Sequence, residues 1–284
     1  MSLGKEQGTY PITMRELSTF EEYQECVEIQ KETWGDEFEE WVPTSILKVS
    51  QKIGGIVAGA FDRNNRMTGF VYGLTGIKDG RPVHWSHMLA VRNDARGSGI
   101  GKQLKLYQRD LLLRHGVPVI YWTFDPLVAR NANLNINGLG AVANEYVKDM
   151  YMESRSVLHQ GMSMDRFIVL WQLDGDRVSK ALAHQPTFAK DQYLHATIAN
   201  TQLAGDGTVS PTELPLPREQ IVRIEVPFDI EAVKSISLSL AREWRANTRR
   251  AFLWYQEQEY VVDGFYIEPD SHRSFYCLTQ QKKA

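Results

Sequence analysis

Apolar and polar positions along the first third of the chain change pattern several times, and each change marks a new element. Residues 12–17 predict a short strand. Ser18 or Thr19 then offers an N-cap, with Glu21 and Glu22 in the first turn, where the helix dipole favours negative charge. That helix carries Tyr23, Val27 and Gln30 on one side and ends near Trp34-Gly35. A second helix is expected from Pro43-Thr44 to Ile53, with Ile46, Leu47 and Val49 partly buried. Residues 55–61 and 67–75 read as strands joined by Asp62-Arg63-Asn64-Asn65-Arg66, a turn whose residues tolerate φ > 0. Lys78-Asp79-Gly80 turns the chain into a third strand over 83–91, so the three strands form an antiparallel meander.

A glycine-rich turn follows, Arg96-Gly97-Ser98-Gly99-Ile100-Gly101, and opens a helix over 101–115. Ile100, Leu104, Tyr107 and Leu111 recur on one helical face, and Gly116 and Pro118 stop it. Residues 119–124 form a strongly apolar strand. A helix separates it from strand 83–91, so the two are expected to run parallel. Asp125-Pro126 ends that strand, a helix over 131–139 stops at Gly140, and strand 166–173 closes this half.

From 183 to 219 the chain turns to Pro, Thr, Gln and Gly without periodicity, which predicts a linker or a long surface excursion. Beyond it come a strand at 221–226, a long helix over 229–258 with an apolar stripe of Val233, Ile236, Leu240 and Trp244, and strands at 260–267 and 274–279. Three segments result: a domain over 10–182, the stretch 183–219, and a C-terminal α/β unit over 220–284. Residues up to Gly8 read as a mobile tail.

Composition narrows the function classes. The chain has 284 residues, 43% of them hydrophobic and 11% aromatic, enough for a real core. A net charge of −3 gives no electrostatic reason to expect nucleic acid. No apolar run approaches ~20 residues, so no membrane partner is expected, and the N-terminus lacks the apolar stretch of a secretory signal. Cys26 and Cys277 are the only cysteines, which excludes a disulfide framework and a cysteine-based zinc site. Free thiols in a reducing, cytoplasmic setting and no metal are the expectation.

Strand, glycine turn and helix start together make an anion site, because free amides point out of the first helical turn. Two nucleotide fingerprints fail on spelling. Counted from Gly97, the dinucleotide pattern finds Lys102 in its last glycine place; the phosphate-loop pattern finds Arg96 for its first glycine and Gln103 for its Ser/Thr. The plain alternative is a helix-capping turn. The spelling does resemble motif A of the GNAT acetyltransferases, Gln/Arg-x-x-Gly-x-Gly/Ala, met by Arg96, Gly99 and Gly101. The order of elements over 12–173 resembles that family as well. Segments 130–135, 139–141, 161–167, 223–227 and 244–252 look like one subgroup of its predicted acetyltransferases.

The resemblance implies an α+β fold: a mixed, mostly antiparallel sheet of six or seven strands flanked by helices, with a C-terminal α/β extension. It implies acetyl-CoA or coenzyme A as cosubstrate. The amides of Arg96, Gly97, Ser98, Gly99, Ile100, Gly101 and Lys102 would hold the pyrophosphate, and the main chain of Leu89, Ala90 and Val91 the pantetheine arm. Lys102 and Lys105 either approach the ribose phosphate or belong to a solvated helix face. Asn131 and Asn133 either cap their helix or touch the pantetheine.

Acyl transfer to an amine needs a base, an oxyanion site and an acid for the departing thiolate. Asp125 is a candidate base or amine anchor, or simply a turn carboxylate before Pro126. His84 and His87 stand at odd spacing, so they face opposite sides of the sheet and at most one enters a cleft; His87 is the candidate. The place of the family's usual tyrosine acid holds Ile136. Tyr146 is the preferred substitute, with Tyr151 and water as others. Asp165-Arg166 reads as a structural ion pair, or Arg166 clamps an acceptor carboxylate. The expectation is an N-acyltransferase acting on a small amine or amino-acid-like acceptor. Its rivals are a non-catalytic acyl-CoA-binding or sensing protein, and an acetyltransferase of protein N-termini or lysines. The C-terminal unit either restricts the acceptor pocket or makes a homodimer contact.

Overall fold

The computed structural model describes residues 12–151, 161–268 and 270–281. The expected tail up to Gly8 lies outside them. The chain divides into two compact units, the first running to Ile120 and the second from Tyr121 onward.

The first unit starts with β1 (Thr13–Glu16) and α1 (Phe20–Trp34). Thr19 caps α1 in a full capping box: its side chain accepts from the Glu22 amide, and the Glu22 carboxylate accepts from the Thr19 amide at 3.3 Å. After α2 (Thr44–Lys52) come β2 (Ile56–Phe61), β3 (Met67–Lys78) and β4 (Arg81–Val91), paired antiparallel in the order β1-β2-β3-β4. On one side of this sheet Phe61, Phe70, Tyr72, Met88 and Ala90 join Tyr23, Cys26, Ile29 and Leu47 in a single core cluster. The unit then adds α3 (Ile100–Arg114). Periodicity anticipated these elements closely, because each is an uninterrupted pattern bounded by glycine or proline.

In the second unit β7 (Arg166–Gln172) lies between β5 (Val119–Phe124) and β6 (Val142–Val147). Strand β6 was not expected. Its sequence, VANEYV, is half polar because it is an edge, and Gln256 covers that edge: the Tyr146 amide donates to Gln256 Oε1 at 2.6 Å, and Gln256 Nε2 donates to the Tyr146 carbonyl at 3.2 Å. The helix expected over 131–139 is shorter and wound differently, as α4 (Ala129–Ala132) followed by a π-helical turn over Asn133–Gly138. It leads by β7 to α5 (Asp176–Leu182).

The stretch 183–219, expected as a linker or surface excursion, carries short strands of its own: β8 (Thr197–Ile198), β9 (Thr201–Leu203) and β10 (Val209–Pro211). Strands β9 and β10 pair with each other, whereas β8 pairs parallel with β11 (Ile221–Pro227) and so joins the sheet β12-β13-β11-β8, with β12 (Tyr260–Glu268) and β13 (Arg273–Gln280). The expected long helix is two, α6 (Ile230–Ile236) and α7 (Leu238–Glu257). Ser237 is extended between them and caps α7 by accepting from the Leu240 amide. The break turns Ile236 into solvent, at 84% exposure, so the proposed stripe ends there. The face that packs is instead Ala241, Trp244, Arg245, Thr248, Phe252 and Tyr255.

Replacing Gln256 with Ala removes both bonds that cover β6. The expected outcome is faster hydrogen exchange of the Tyr146 amide and a loss of about 1 kcal/mol in chemical denaturation; unchanged exchange would show that the edge is held some other way.

Candidate functional site

The turn before α3 owes its shape to two glycines. Gly97 and Gly99 have φ of +80° and +81°, a region where a β-carbon is strained, although nothing nearby would obstruct one. A 3-10 turn over Asn93–Ala95 leads in, and the Arg96 amide donates back to the Asn93 carbonyl at 3.4 Å. Arg96 therefore spends its amide inside the turn, and its side chain donates to the Val91 carbonyl at 3.1 Å. The Ser98 hydroxyl donates to the Ala95 carbonyl at 2.5 Å. Gly99 is the N-cap of α3 and no side chain caps the helix; the first amide returned to the turn is that of Gln103, bonded to the Gly99 carbonyl at 3.1 Å. The amide set open to an anion is thus Gly97 to Lys102, one residue shorter than expected. Leu89 and Val91 flank Gly101, at 3.5 and 3.9 Å from where its β-carbon would be.

Strand β4 carries an extra residue just upstream. Tyr72 pairs with Met88 and Gly73 with Ser86, so His87 is bulged out of the ladder. His84 is fully buried beneath α3, whereas His87 packs edge-on against Tyr72 at 5.9 Å, on the α1 and α2 side, with part of its ring in solvent. The two histidines face opposite sides, as their spacing implied. Crowding by protein lowers the pKa of His87, which keeps its ring neutral.

His84 belongs to a polar line: its Nε2 lies 3.1 Å from Gln108 Nε2, its Nδ1 lies 3.0 Å from Thr75 Oγ1, and Thr75 donates to the Gly54 carbonyl at 2.6 Å. Every donor is satisfied when Gln108 donates to Nε2 and Nδ1–H donates to Thr75, which requires a neutral ring. Burial, helped by Lys105, pulls the His84 pKa to about 3. Gly73 makes room for this ring; an added β-carbon there would collide with His84 and with the Trp85 carbonyl. Lys105 is a correction. It is neither a ribose-phosphate contact nor on a solvated face, because it is buried and donates to Ser86 Oγ at 2.7 Å. Burial lowers its pKa to about 7.

The second unit gathers the other predicted residues around two carboxylates. Asp125 Oδ1 accepts the Leu127 amide at 2.9 Å, while Oδ2 accepts from Arg245 Nη2 at 2.5 Å and lies 3.6 Å from Arg166 Nη1. Burial pushes the Asp125 pKa up, but Arg245 and Arg166 outweigh it and hold it below the usual carboxylate range. Such a group is a weak base. Asp165 is fully buried and accepts from Arg249, from the Asp149 amide at 3.1 Å and from the Tyr146 hydroxyl at 2.5 Å.

Tyr146 is stacked on Phe252 and 3% exposed. Burial first, then the Asp165 charge, raise its phenol far above its ordinary pKa. Tyr151, by contrast, is half-buried, with its hydroxyl 3.2 Å from Thr123 Oγ1. Arg166 does not form the expected side-chain pair with Asp165: its Nη1 donates to the Asp165 carbonyl, and the carboxylate beside it is Asp125. Ile136 is buried in the π-helical turn. Asn131 sits inside α4, not at its cap, and Asn133 accepts from Asn137 at 2.8 Å. Among the described residues no group of three or more His, Cys, Asp or Glu could hold a metal ion. Both cysteines are free and buried, and no described helix is long and apolar enough to cross a membrane.

Sequence reasoning missed Arg245 and Arg249 as site residues. Their signal was present, two arginines four apart on α7, one helical face; only packing shows which carboxylates they meet.

No protein-family model and no curated protein matches the chain. Solved structures similar to it include several named as acetyltransferases. The NatC complex bound to Gag peptide and CoA is 17% identical over 57% of this chain and 98% of that one, with a TM-score of 0.46. The ribosomal-protein-S18-alanine N-acetyltransferase of Escherichia coli is 16% identical over 58% and 97%, at 0.44. A Desulfovibrio desulfuricans protein assigned to the GNAT family is 14% identical over 57% and 99%, at 0.45. At these identities and TM-scores the likeness carries no argument about activity, which rests on the site itself.

His84 sets a pH dependence. Unfolded, its ring takes a proton near its ordinary pKa of 6.5; folded, it does so only near 3. The unfolded chain therefore binds the extra proton between those values, and stability falls as pH falls from about 6.5 toward about 3, by a few kcal/mol in all. His84→Gln should flatten that part of the curve relative to wild type in denaturant titrations; parallel curves would contradict the assignment.

Proposed function

We propose that the protein is a GNAT-type, acyl-CoA-dependent N-acyltransferase that moves an acyl group, acetyl in the first instance, directly onto a small amine or amino-acid-like acceptor in a cytoplasmic setting. The observation that carries this reading is the glycine turn: two positive-φ glycines and an uncapped 15-residue helix leave the amides of Gly97, Ser98, Gly99, Ile100, Gly101 and Lys102 open to a pyrophosphate. Its spelling meets every fixed place of the family's motif A. The main chain of Leu89, Ala90 and Val91 takes the pantetheine arm. Arg96 acts by bracing the turn through the Val91 carbonyl.

In the reaction the acceptor amine attacks the thioester carbonyl, the oxyanion collapses, and coenzyme A leaves as a thiolate that takes a proton. His87, kept neutral and in reach of solvent, is the better base on proton affinity, since Asp125 is held below the usual carboxylate range. Tyr151 is the acid in place of Tyr146. The second reading, an acyl-CoA-binding protein without turnover, is favoured by one finding: the family's tyrosine place holds a buried Ile136, and the nearest other tyrosine, Tyr146, is locked to Asp165.

Calorimetry with acetyl-CoA and thiol release across an amine panel decide between them. Turnover that depends on acceptor supports the enzyme; uptake without turnover supports the sensor; no uptake removes both. Gly99→Val, which strains the αL position, should weaken acetyl-CoA binding by roughly tenfold or more, the scale set by a backbone misfit of 1–3 kcal/mol.

A further inference from the structure

Strand β5 has two unlike faces. Trp122 and Phe124 are buried against Trp171 and Phe167, at 5.8 Å between ring centres in each pair. The opposite face carries Tyr121, Thr123 and then Asp125, each half-buried. Around that face stand Tyr151, Arg166 and Arg245. The Arg166 guanidinium lies 5.7 Å from the centre of the Tyr151 ring, and both arginines reach the same oxygen of Asp125.

The nearby Asp165 cluster is saturated, its carboxylate filled by Arg249, Tyr146 and a backbone amide. The Asp125 cluster is not. Arg245 is 4% exposed, yet its Nε and Nη1 have no hydrogen-bond partner among the described residues. A buried guanidinium with idle donors is expensive to keep, and a carboxylate is the group whose geometry and charge answer it best. Asp125 meets Arg245 through Nη2 alone, and its other oxygen accepts the Leu127 amide.

We infer that Arg245 is the carboxylate-recognition residue of the acceptor site, so that the acceptor is an α-amino acid and not a plain amine. This rests on the acyltransferase reading. Tyr151 and Thr123 border the same face and supply the hydroxyls that an amino acid's polar end would meet. The helix α7 that carries Arg245 thereby has a task in substrate choice, filling one of the two roles expected for the C-terminal segment.

The test pairs each of a set of α-amino acids with the amine left by its decarboxylation, using the full chain and acetyl-CoA, and reads thiol release. Amino-acid binding in the presence of coenzyme A is measured in parallel by calorimetry. The expected result is a preference for the amino acid of roughly 100-fold in kcat/KM, reduced by about 10- to 100-fold in Arg245→Met through a rise in KM, the range of one or two charge-assisted bonds. Arg245→Lys, which keeps the charge and loses the fork, serves if the methionine variant does not fold, and should fall between. Equal use of amines and amino acids, or an equal loss for both in the variant, overturns the inference while leaving the acyltransferase standing. Arg245-dependent binding of amino acids without any thiol release keeps the subsite and removes the acyltransferase. Neither binding nor turnover removes both.

Discussion

A carboxylate taken out of water costs several kcal/mol unless a cation accompanies it, and the second unit is organised around two that are. Asp125 follows β5 and Asp165 precedes β7. Helix α7 delivers Arg245 to one and Arg249 to the other. These arginines are four residues apart, so one helical face serves both strand ends and fixes the helix in rotation and in translation. Phe252 and Tyr255 continue the same packing toward Tyr146 and Tyr260, and Gln256 completes it on the edge of β6. The C-terminal segment is thereby part of this unit's core.

The first unit solves a different problem, that of exposing backbone amides without losing the fold. Positive φ at Gly97 and Gly99 turns the chain into α3, whose N-cap makes no side-chain bond, while Arg96 and Ser98 tie the turn back to Val91 and Ala95. Beneath α3, Lys105 and Gln108 bond to Ser86 and His84, just before the bulge at His87. A polar line in an apolar layer is specific about register, because a shift of one residue would leave several buried groups unpaired. Gly73 is small for that reason: the imidazole occupies the place of a side chain.

The two tyrosines show how burial separates residues of one kind. Tyr146 and Tyr151 lie five positions apart and look equivalent on paper. One is stacked between aromatic rings with its proton committed to Asp165; the other is half-exposed beside a threonine and an arginine. The phenol of Tyr146 is held protonated by burial and by the Asp165 charge, a consequence of packing and not of its place along the chain.

Much of the first unit was legible in the sequence, since its strands and helices are continuous patterns cut by Gly, Pro and Asp-Asn turns, and the glycine turn has a conformational requirement that only glycine meets cheaply. The sequence by itself determined the meander, the α1 cap, the glycine turn before α3 and the α+β class. Tertiary structure decided the rest. It bent the long helix at Ser237, where a capping serine competes with continued periodicity. It made strand β6 from a half-polar run held by β7, by Gln256 and by the contacts of Tyr146 with Asp165 and Phe252. It moved Lys105 from surface to core and chose Asp125, not Asp165, as the carboxylate beside the side chain of Arg166. Each of these depends on a partner distant in the chain, and a side chain's charge, exposure and proton affinity are properties of that partner as much as of its own position.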